Sequence, residues 1–430
     1  MSSQSASQSV RPARSRAYLF LPRLGLAALV VAMIVVVLVV ALGVHHKATP
    51  AATSLKTFEC QPGPWGDIEC KEYVFDMPDE LITSEFLQRL PVTWYFPGRS
   101  WSQMSELFLS VDVSEQNFAT LMASARQEIG GAGYVLSPSD AFVLNLSPAS
   151  RARIYEVLAA DERNMRQAEP FRFPAQHMDA WFKKADLSEA TLTLIKRVLY
   201  PHGRMMLLAD IDILLGQVTD SAEQMRMVKA LARTPALWLS LHVSPGANVD
   251  PLAAYWGEHG RASEVRPLLA ALANSPAGGL TGGVFLLPNF ARDHLYKYPT
   301  ESDWRKHNCY WSALNFFNDT ADDRFEKLAD TGQEIEKNYR RIDQAAARMG
   351  DLVLLQTSST SVIHACNYVA DDLVFTKNGP GRNEPWVLMR LADVIDYYTN
   401  QAAPTVAFYH RNTPPTSTSL ADRPSTNPAH

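Results

Sequence analysis

The sequence predicts an α+β fold with three parts: an N-terminal transmembrane helix, a mainly α-helical extracytoplasmic body, and a C-terminal domain in which a helix packs on an antiparallel sheet. Three observations lead to this prediction. A long apolar run lies near the N-terminus, helical periodicity dominates the middle of the chain, and short strand-like runs follow near the C-terminus. We expect these segments: a cytoplasmic basic arm (1–23), a transmembrane helix (24–44), a tether (45–57), a small β hairpin plus helical domain (58–300), a C-terminal domain (301–400) and a disordered tail (401–430).

The apolar run at 24–44 contains no charged residue. At 1.5 Å per residue, its length roughly matches a hydrocarbon core of about 30 Å. Four arginines and no acidic residue precede it, which places the N-terminus in the cytoplasm and the body in the periplasm or outside the cell. The bilayer is therefore an expected partner through residues 24–44. A cleaved secretory signal is the alternative, although its apolar region is usually only about 7 to 15 residues long.

Composition narrows the classes of function. The chain has 430 residues, a hydrophobic fraction of 47% and a formal net charge of −5. This length leaves room for two globular units. No long basic stretch with interleaved aromatic residues occurs outside the N-terminal arm, so nucleic acid is not an expected partner.

Two cysteines flank a Pro/Gly-rich turn near the start of the body. Cys60 and Cys70 enclose the sequence QPGPWGDIE, between two runs that have strand character. In an extracytoplasmic protein this spacing predicts a disulfide that closes a short hairpin. Two unpaired thiols in a small sheet are the alternative.

The central region carries helix signals but no recognisable chemistry. Ser114 and Ser147 stand where helix N-caps are expected, with Pro148 in a first turn. The run from Met205 through Val218 also has the periodicity of a helix. Neither metal-ligand spacing nor a glycine-rich phosphate loop occurs, so we predict no metal and no cofactor.

In the C-terminal part, a cysteine and a histidine follow each other in the order needed to place a cysteine nucleophile against a sheet. Cys309 begins a predicted helix, a long polar helix runs on to about Arg348, and strands follow from Asp351, Ser361 and Asp372. The first turn of a helix favours a thiolate, so Cys309 is a candidate nucleophile. His364 lies in an apolar strand, where a buried imidazole needs a partner.

The third member of this set is expected on the next strand. Thr376 and Asn378 are two residues apart, share a face of that strand and could both turn toward the imidazole of His364. Cys366 shares the histidine's face and is interpreted as a packing residue, with a redox partner for Cys309 as the alternative.

Over residues 308–400 this order resembles the NlpC-type, papain-like cysteine peptidases, which cleave cell-wall peptides. That family has a cysteine at a helix start, a G-D-L-V strand, a histidine that begins an H-V-x-x-Y strand, and a polar residue about twelve positions later. The corresponding residues here are Cys309, GDLVLL from Gly350, HACNYVADD from His364, and Thr376. The nucleophile segment reads N-C-Y-W instead of D-C-S-G. Threonine replaces the usual histidine, asparagine or glutamine, so Asn378 is retained as an alternative orienting residue.

The resemblance implies a papain-like cysteine hydrolase domain at 301–400. With the predicted anchor, it gives a membrane-anchored thiol hydrolase that cleaves an amide bond through Cys309 and His364, with a cell-wall peptide as the implied substrate. Two alternatives stay open. One is a papain-like acyltransferase or lipid-directed thioesterase, and the other is a non-catalytic envelope scaffold whose helical body is the working part.

Overall fold

The computed structural model describes residues 56–84, 86–128, 133–175, 178–300, 302–303, 305–358, 361–399 and 402–412. The predicted arm (1–23), transmembrane helix (24–44) and most of the tether (45–57) lie outside these residues.

The described part of the chain contains no helix suited to crossing a bilayer. Its longest helix, Ala262–Ala273, has 12 residues, whereas a membrane span needs about 20 apolar residues. This finding corrects the predicted fold class: the architecture described is α+β without a membrane-spanning helix. The same finding corrects the prediction of a single-pass membrane protein and the prediction of a periplasmic or extracellular body, because both depended on that helix.

The body is not mainly helical, which is a second correction. Strands occur throughout the described residues, in one six-stranded, one four-stranded and two three-stranded sheets. The strands are β1 (Thr57–Glu59), β2 (Asp67–Phe75), β3 (Trp94–Pro97), β4 (Arg126–Gln127), β5 (Gly133–Leu136), β6 (Phe171–Pro174), β7 (Tyr200–His202), β8 (Met205–Leu208), β9 (Thr234–Val243), β10 (Gly279–Gly282), β11 (Tyr339–Ile342), β12 (Leu352–Ser358), β13 (Ser361–Ala370), β14 (Leu373–Lys377), β15 (Trp386–Arg390) and β16 (Thr405–Arg411).

The α-helices of the described residues are mostly short. They are α1 (Trp101–Leu109), α2 (Glu115–Met122), α3 (Asp140–Leu144), α4 (Pro148–Leu158), α5 (Met165–Ala168), α6 (Met178–Lys183), α7 (Glu189–Val198), α8 (Ile211–Gln217), α9 (Ser221–Leu231), α10 (Asp250–Trp256), α11 (Ala262–Ala273), α12 (Asn289–His294), α13 (Cys309–Leu314), α14 (Leu328–Asn338) and α15 (Leu391–Tyr398).

Two helix starts were predicted correctly and one helix was not. Ser114 and Ser147 cap α2 and α4, each accepting a hydrogen bond from the main-chain N–H three residues later. Met205–Leu208, predicted as helix, is instead strand β8. It pairs with β7 around a tight turn at Gly203, whose φ of 57° is readily adopted by glycine. The helix begins only at Ile211.

The long polar helix predicted up to Arg348 is also wrong. The chain instead forms a 3-10 turn at Asp323–Glu326, the helix α14 and the strand β11. β11 pairs with β16, whose seven residues lie within the predicted disordered tail. Hydrogen bonding to β11 and β12 thus orders residues 405–411, although the tail around them contains few apolar residues.

The six-stranded sheet has the order β11-β16-β12-β13-β14-β15, with every neighbouring pair antiparallel. Its side chains alternate between two hydrophobic clusters. Ala365 and Phe375 belong to the cluster that includes Trp311 of α13, whereas Cys366 and Val374 belong to the cluster that includes Val394 of α15. The sheet therefore has an α13 face and an α15 face.

The α13 face continues into the body. The same hydrophobic cluster includes Ile68 and Trp256, from the predicted 58–300 part, together with Leu354 and Leu388 from the predicted 301–400 part. The two parts of the chain thus share buried apolar packing on this face.

Candidate functional site

Cys309 is the first residue of α13, as the sequence predicts. The side-chain oxygen of Asn308 accepts hydrogen bonds from the N–H groups of Tyr310 and Trp311, both at 3.0 Å, and so fixes the start of the helix. The helix ends at Leu314. Cys309 is buried, with 7% of its surface exposed.

The environment of the Cys309 thiol has opposing effects on its pKa. Burial has the largest effect and raises the pKa, while the main-chain N–H groups of Ala365, Tyr310 and Cys309 itself lower it, as does the ammonium of Lys377. The net result is a raised pKa, so the thiol is protonated at neutral pH. The N–H groups at the helix start favour the thiolate, as expected, but in this conformation burial outweighs their effect on the pKa.

His364 lies on β13 with its ring on the α15 face, and it is fully buried. Its Nε2 atom is 2.9 Å from Oγ1 of Thr376, and the Thr376 hydroxyl donates a hydrogen bond of 2.9 Å to Oδ1 of Asn378. Because that hydroxyl uses its hydrogen on Asn378, it accepts from Nε2–H of the imidazole. Both predicted orienting residues are thus present in one relay, with Thr376 in direct contact and Asn378 behind it.

The relay leaves Nδ1 of His364 as the nitrogen that carries the lone pair. Nδ1 is buried and has no hydrogen-bond partner within the described part of the chain. Burial lowers the pKa of His364 to about 3, so the ring is neutral at neutral pH. The ring of Tyr398 stacks on the imidazole, with centroids 4.4 Å apart.

Cys309 lies at the start of α13, and its sulfur is close enough to the phenol of Tyr398, which stacks on His364, to contribute to the raised pKa of that phenol. The sulfur of Cys309 contacts the main chain at Ala365, the residue after His364. The pairing of β13 with β14 ends at Asn367 and Phe375, just before this point. In the residues that the structure describes, no hydrogen bond joins the sulfur to Nδ1. The predicted pair is therefore adjacent in the fold but is not engaged.

Lys377 is a charged residue of the site that the sequence reasoning missed. It lies between Thr376 and Asn378 but points to the α13 face, with none of its surface exposed. Its ammonium donates to the carbonyl of Gly379 at 2.5 Å and lies 5.3 Å from the ring centroid of Trp386. The indole of Trp386 donates to Ser312 of α13. A lysine inside the apolar run LVFTK was the available sequence signal.

Burial shifts the pKa of Lys377 down to about 8, and the nearby carboxylate of Glu384 opposes that shift. Burial likewise raises the pKa of Glu384 to about 7, while its hydrogen bond from Tyr397 and the charges of Arg172 and Lys377 act in the opposite direction. Lys377 therefore lies close both to the thiol of Cys309 and to the carboxyl group of Glu384.

The G-D-L-V segment supports the sheet and does not contact the histidine ring. Gly350 has a φ of 87° and its N–H donates to the carbonyl of Tyr368. Asp351 accepts a hydrogen bond from the N–H of Arg348, and its other oxygen is 2.7 Å from Nδ1 of His410 on β16. These contacts fix the start of β12 beside β13 and β16.

Cys366 and the cysteines of the first hairpin have separate locations. Cys366 packs in the hydrophobic cluster of the α15 face, as a packing residue would. Cys60 and Cys70 are free thiols, and their sulfur atoms are 3.9 Å apart next to the β1–β2 pairing. The disulfide between them stays a prediction.

One group of side chains has the composition of a metal site. His307, Asp323 and Glu326 place one ligand atom each within 4.8 Å of one another. The imidazole of His307 also stacks on Trp311 of α13, with centroids 3.6 Å apart. Two of these groups are carboxylates near the surface, an arrangement that is also common without a metal ion.

Comparisons with known proteins give no match: no family model, no curated protein and no solved structure is sufficiently similar to this chain.

Proposed function

We propose that Cys309 and His364 form a thiol-dependent acyl-transfer site that cleaves an amide bond, and that the conformation described above is its closed state. The observation that supports this proposal best is the hydrogen bonding of His364. Thr376 and Asn378 fix one ring nitrogen, while the other is buried with a free lone pair. An unpaired buried polar atom costs about 1–3 kcal/mol, so its retention favours a functional role.

In the proposed reaction, the sulfur of Cys309 attacks the substrate carbonyl carbon and its proton passes to Nδ1 of His364. The carbon–sulfur bond forms while the carbonyl π electrons move to oxygen. When the tetrahedral intermediate collapses, the carbon–nitrogen bond breaks and the leaving amine takes the proton from Nδ1. Water then attacks the thioester carbon and gives a proton to Nδ1. When this second tetrahedral intermediate collapses, the carbon–sulfur bond breaks, the acid leaves and the sulfur takes the proton back from Nδ1.

Main-chain donors around the sulfur suit the negative charge that develops in this reaction. The N–H groups of Cys309, Tyr310 and Ala365 all act on the thiol. Fixed N–H dipoles in a water-poor site stabilise an anion better than water does, because they need no reorientation. The Nε2–Thr376 hydrogen bond meanwhile keeps the imidazole in the tautomer that accepts a proton at Nδ1.

The substrate implied by the resemblance is a cell-wall peptide. A second candidate, an acyltransferase or thioesterase that acts on an apolar acyl group, is favoured by the α15 face. Around His364 this face consists of buried apolar side chains, including Val374, Val387 and Met389 of the sheet and Val394 of α15. A substrate group that replaces the Tyr398 ring beside them is better matched by a hydrocarbon or aromatic acyl group than by a charged peptide.

The experiment is covalent capture by the full chain. The protein is mixed with p-nitrophenyl acyl esters of increasing chain length and, separately, with a muropeptide digest, and the acyl adduct is located by mass spectrometry. We expect an adduct on Cys309 that is absent in Cys309→Ala and in His364→Gln. Cys366→Ala is the matched control, because it removes a buried thiol that the proposal does not use.

The outcome also selects among the candidate functions. An adduct whose yield rises with acyl chain length supports the apolar acyl substrate, and cleavage of muropeptides supports the amidase. Absence of any adduct on Cys309, with the protein folded, contradicts both and favours the non-catalytic scaffold.

A further inference from the structure

Tyr398 separates the buried imidazole from solvent. It is the last residue of α15, it is half-buried, and its ring stacks on His364 at an interplanar angle of 22°. None of the surface of His364 is exposed. The phenol ring thus covers one face of the buried imidazole.

The helix that carries Tyr398 connects two strands of the six-stranded sheet. α15 connects β15, at one edge, to β16, which lies beyond β12, β13 and β14 in the sheet order. The main-chain N–H of Leu391 donates to the carbonyl of Asp372 at 2.6 Å, at the N-terminal end of the helix. The helix therefore crosses the strands that carry His364 and Thr376.

Two further contacts hold the helix in place while leaving the Tyr398 ring on the imidazole. Val394 is fully buried in the cluster of the α15 face. The hydroxyl of Tyr397 donates to Glu384 at 2.6 Å. Movement of the whole helix would break these contacts, whereas rotation of the Tyr398 side chain breaks only its stack on His364, its ring contact with Tyr397 and its packing against neighbouring apolar side chains.

From this arrangement we propose that the side chain of Tyr398 is a gate, which stacks on His364 in the closed state and rotates away to admit an acyl donor with an apolar or aromatic group next to its carbonyl. This inference rests on the proposed function, since it gives that site its regulation and its substrate class. The apolar group takes the place of the phenol ring against the apolar α15 face, and the carbonyl comes within reach of the Cys309 sulfur. The gate explains why all the reacting groups are buried together in one structure.

The test uses variants of Tyr398 in the full chain. Tyr398→Ala removes the ring and Tyr398→Phe keeps it, so the second is the matched control. Tyr397→Phe, which removes only the neighbouring hydroxyl, controls for loosening of α15. Iodoacetamide reports access to Cys309, and diethyl pyrocarbonate followed by peptide mass spectrometry reports access to His364.

We expect Tyr398→Ala to speed modification of Cys309 and His364 by about tenfold or more, since a local opening no longer has to precede the reaction. Tyr398→Phe should stay near the wild-type rates. If Tyr398→Ala lowers the melting temperature strongly, Tyr398→Leu replaces it, because leucine keeps apolar packing but cannot stack. Equal modification rates in the wild type and in the folded ring-deletion variant overturn the gate.

Failure of the gate and failure of the proposed function give different results. Faster modification of both residues with no acyl adduct on Cys309 keeps the gate and rejects the hydrolase. An acyl adduct that forms at equal rates with and without the Tyr398 ring keeps the hydrolase and rejects the gate.

Discussion

The Nε2 atom of His364 and the Oγ1 atom of Thr376 are 2.9 Å apart, and the Thr376 hydroxyl is directed by its own hydrogen bond to Asn378. This order of donors determines the tautomer of the imidazole. The proton lies on Nε2, and Nδ1 is the basic nitrogen. A threonine can therefore do here what the resemblance assigns to histidine, asparagine or glutamine, provided that Asn378 orients its hydroxyl.

Replacement of Thr376 by valine should weaken both stability and acylation. Valine has nearly the shape of threonine but leaves Nε2–H and Oδ1 of Asn378 unpaired in a buried site, which costs about 1–3 kcal/mol in the free energy of unfolding. Urea denaturation measures this change. Thr376→Ser keeps the hydroxyl and should recover most of the loss; equal destabilisation by serine and valine would show that the methyl group, and not the relay, is what matters.

Acid should destabilise the protein through His364. Burial lowers the folded-state pKa of His364 to about 3, below its ordinary value of 6.5. Between these two values the unfolded chain binds a proton that the folded protein does not, so the stability contribution is complete above pH 6.5 and is lost as the pH falls. The slope from this group approaches about 1.4 kcal/mol per pH unit. Urea titrations at pH 7.5 and pH 5 check it, and His364→Gln should flatten the difference between them.

Lys377 should help to ionise Cys309. Its buried ammonium lowers the pKa of the thiol, against the larger effect of burial. Lys377→Met removes this charge, so the thiol pKa should rise further and alkylation by iodoacetamide should need a higher pH. Lys377→Arg keeps the charge and is the control. An unchanged pH profile in the methionine variant would show that this ammonium does not act on the sulfur.

Gly350 should tolerate no side chain. Its φ is 87°, and an added Cβ would collide with the ring of Phe317. Gly350→Ala should therefore lower the free energy of unfolding by about 1–3 kcal/mol. A Cβ added to Gly332, inside α14, would have open space around it, and Gly332→Ala should stabilise the protein by about 0.5–1 kcal/mol. Thermal denaturation of both variants compares the two effects, and a loss of equal size in both contradicts the argument.

Oxidation should join Cys60 to Cys70. Their sulfur atoms are 3.9 Å apart as thiols, and small side-chain rotations bring them to bonding distance. After treatment with oxidised glutathione, mass spectrometry should find one disulfide between these residues. We expect a rise of about 2–3 kcal/mol in the free energy of unfolding, since the bond closes a short loop. Cys60→Ser is the control, and full alkylation of both thiols after oxidation contradicts the pairing.

The sequence by itself determined those features that depend on local spacing. The caps at Ser114 and Ser147, the start of α13 at Cys309 and the strand that carries His364 each follow from a few neighbouring residues. The relay through Thr376 and Asn378 also follows from spacing, because adjacent antiparallel strands joined by a short turn can pair in few registers.

Tertiary structure alone decided which distant segments pair with these strands and which side chains pack over the histidine. β16 enters the sheet between β11 and β12 by pairing with segments distant in sequence, whereas the Pro-, Thr- and Ser-rich composition of the tail around it suggested disorder. The same crossover lays α15 over the histidine and places Tyr398 on the ring, while Lys377 turns to the opposite face. The physical reason is that hydrogen bonds between distant strands and burial under distant side chains stabilise these arrangements, and no local pattern of residues records which distant segment will be the partner.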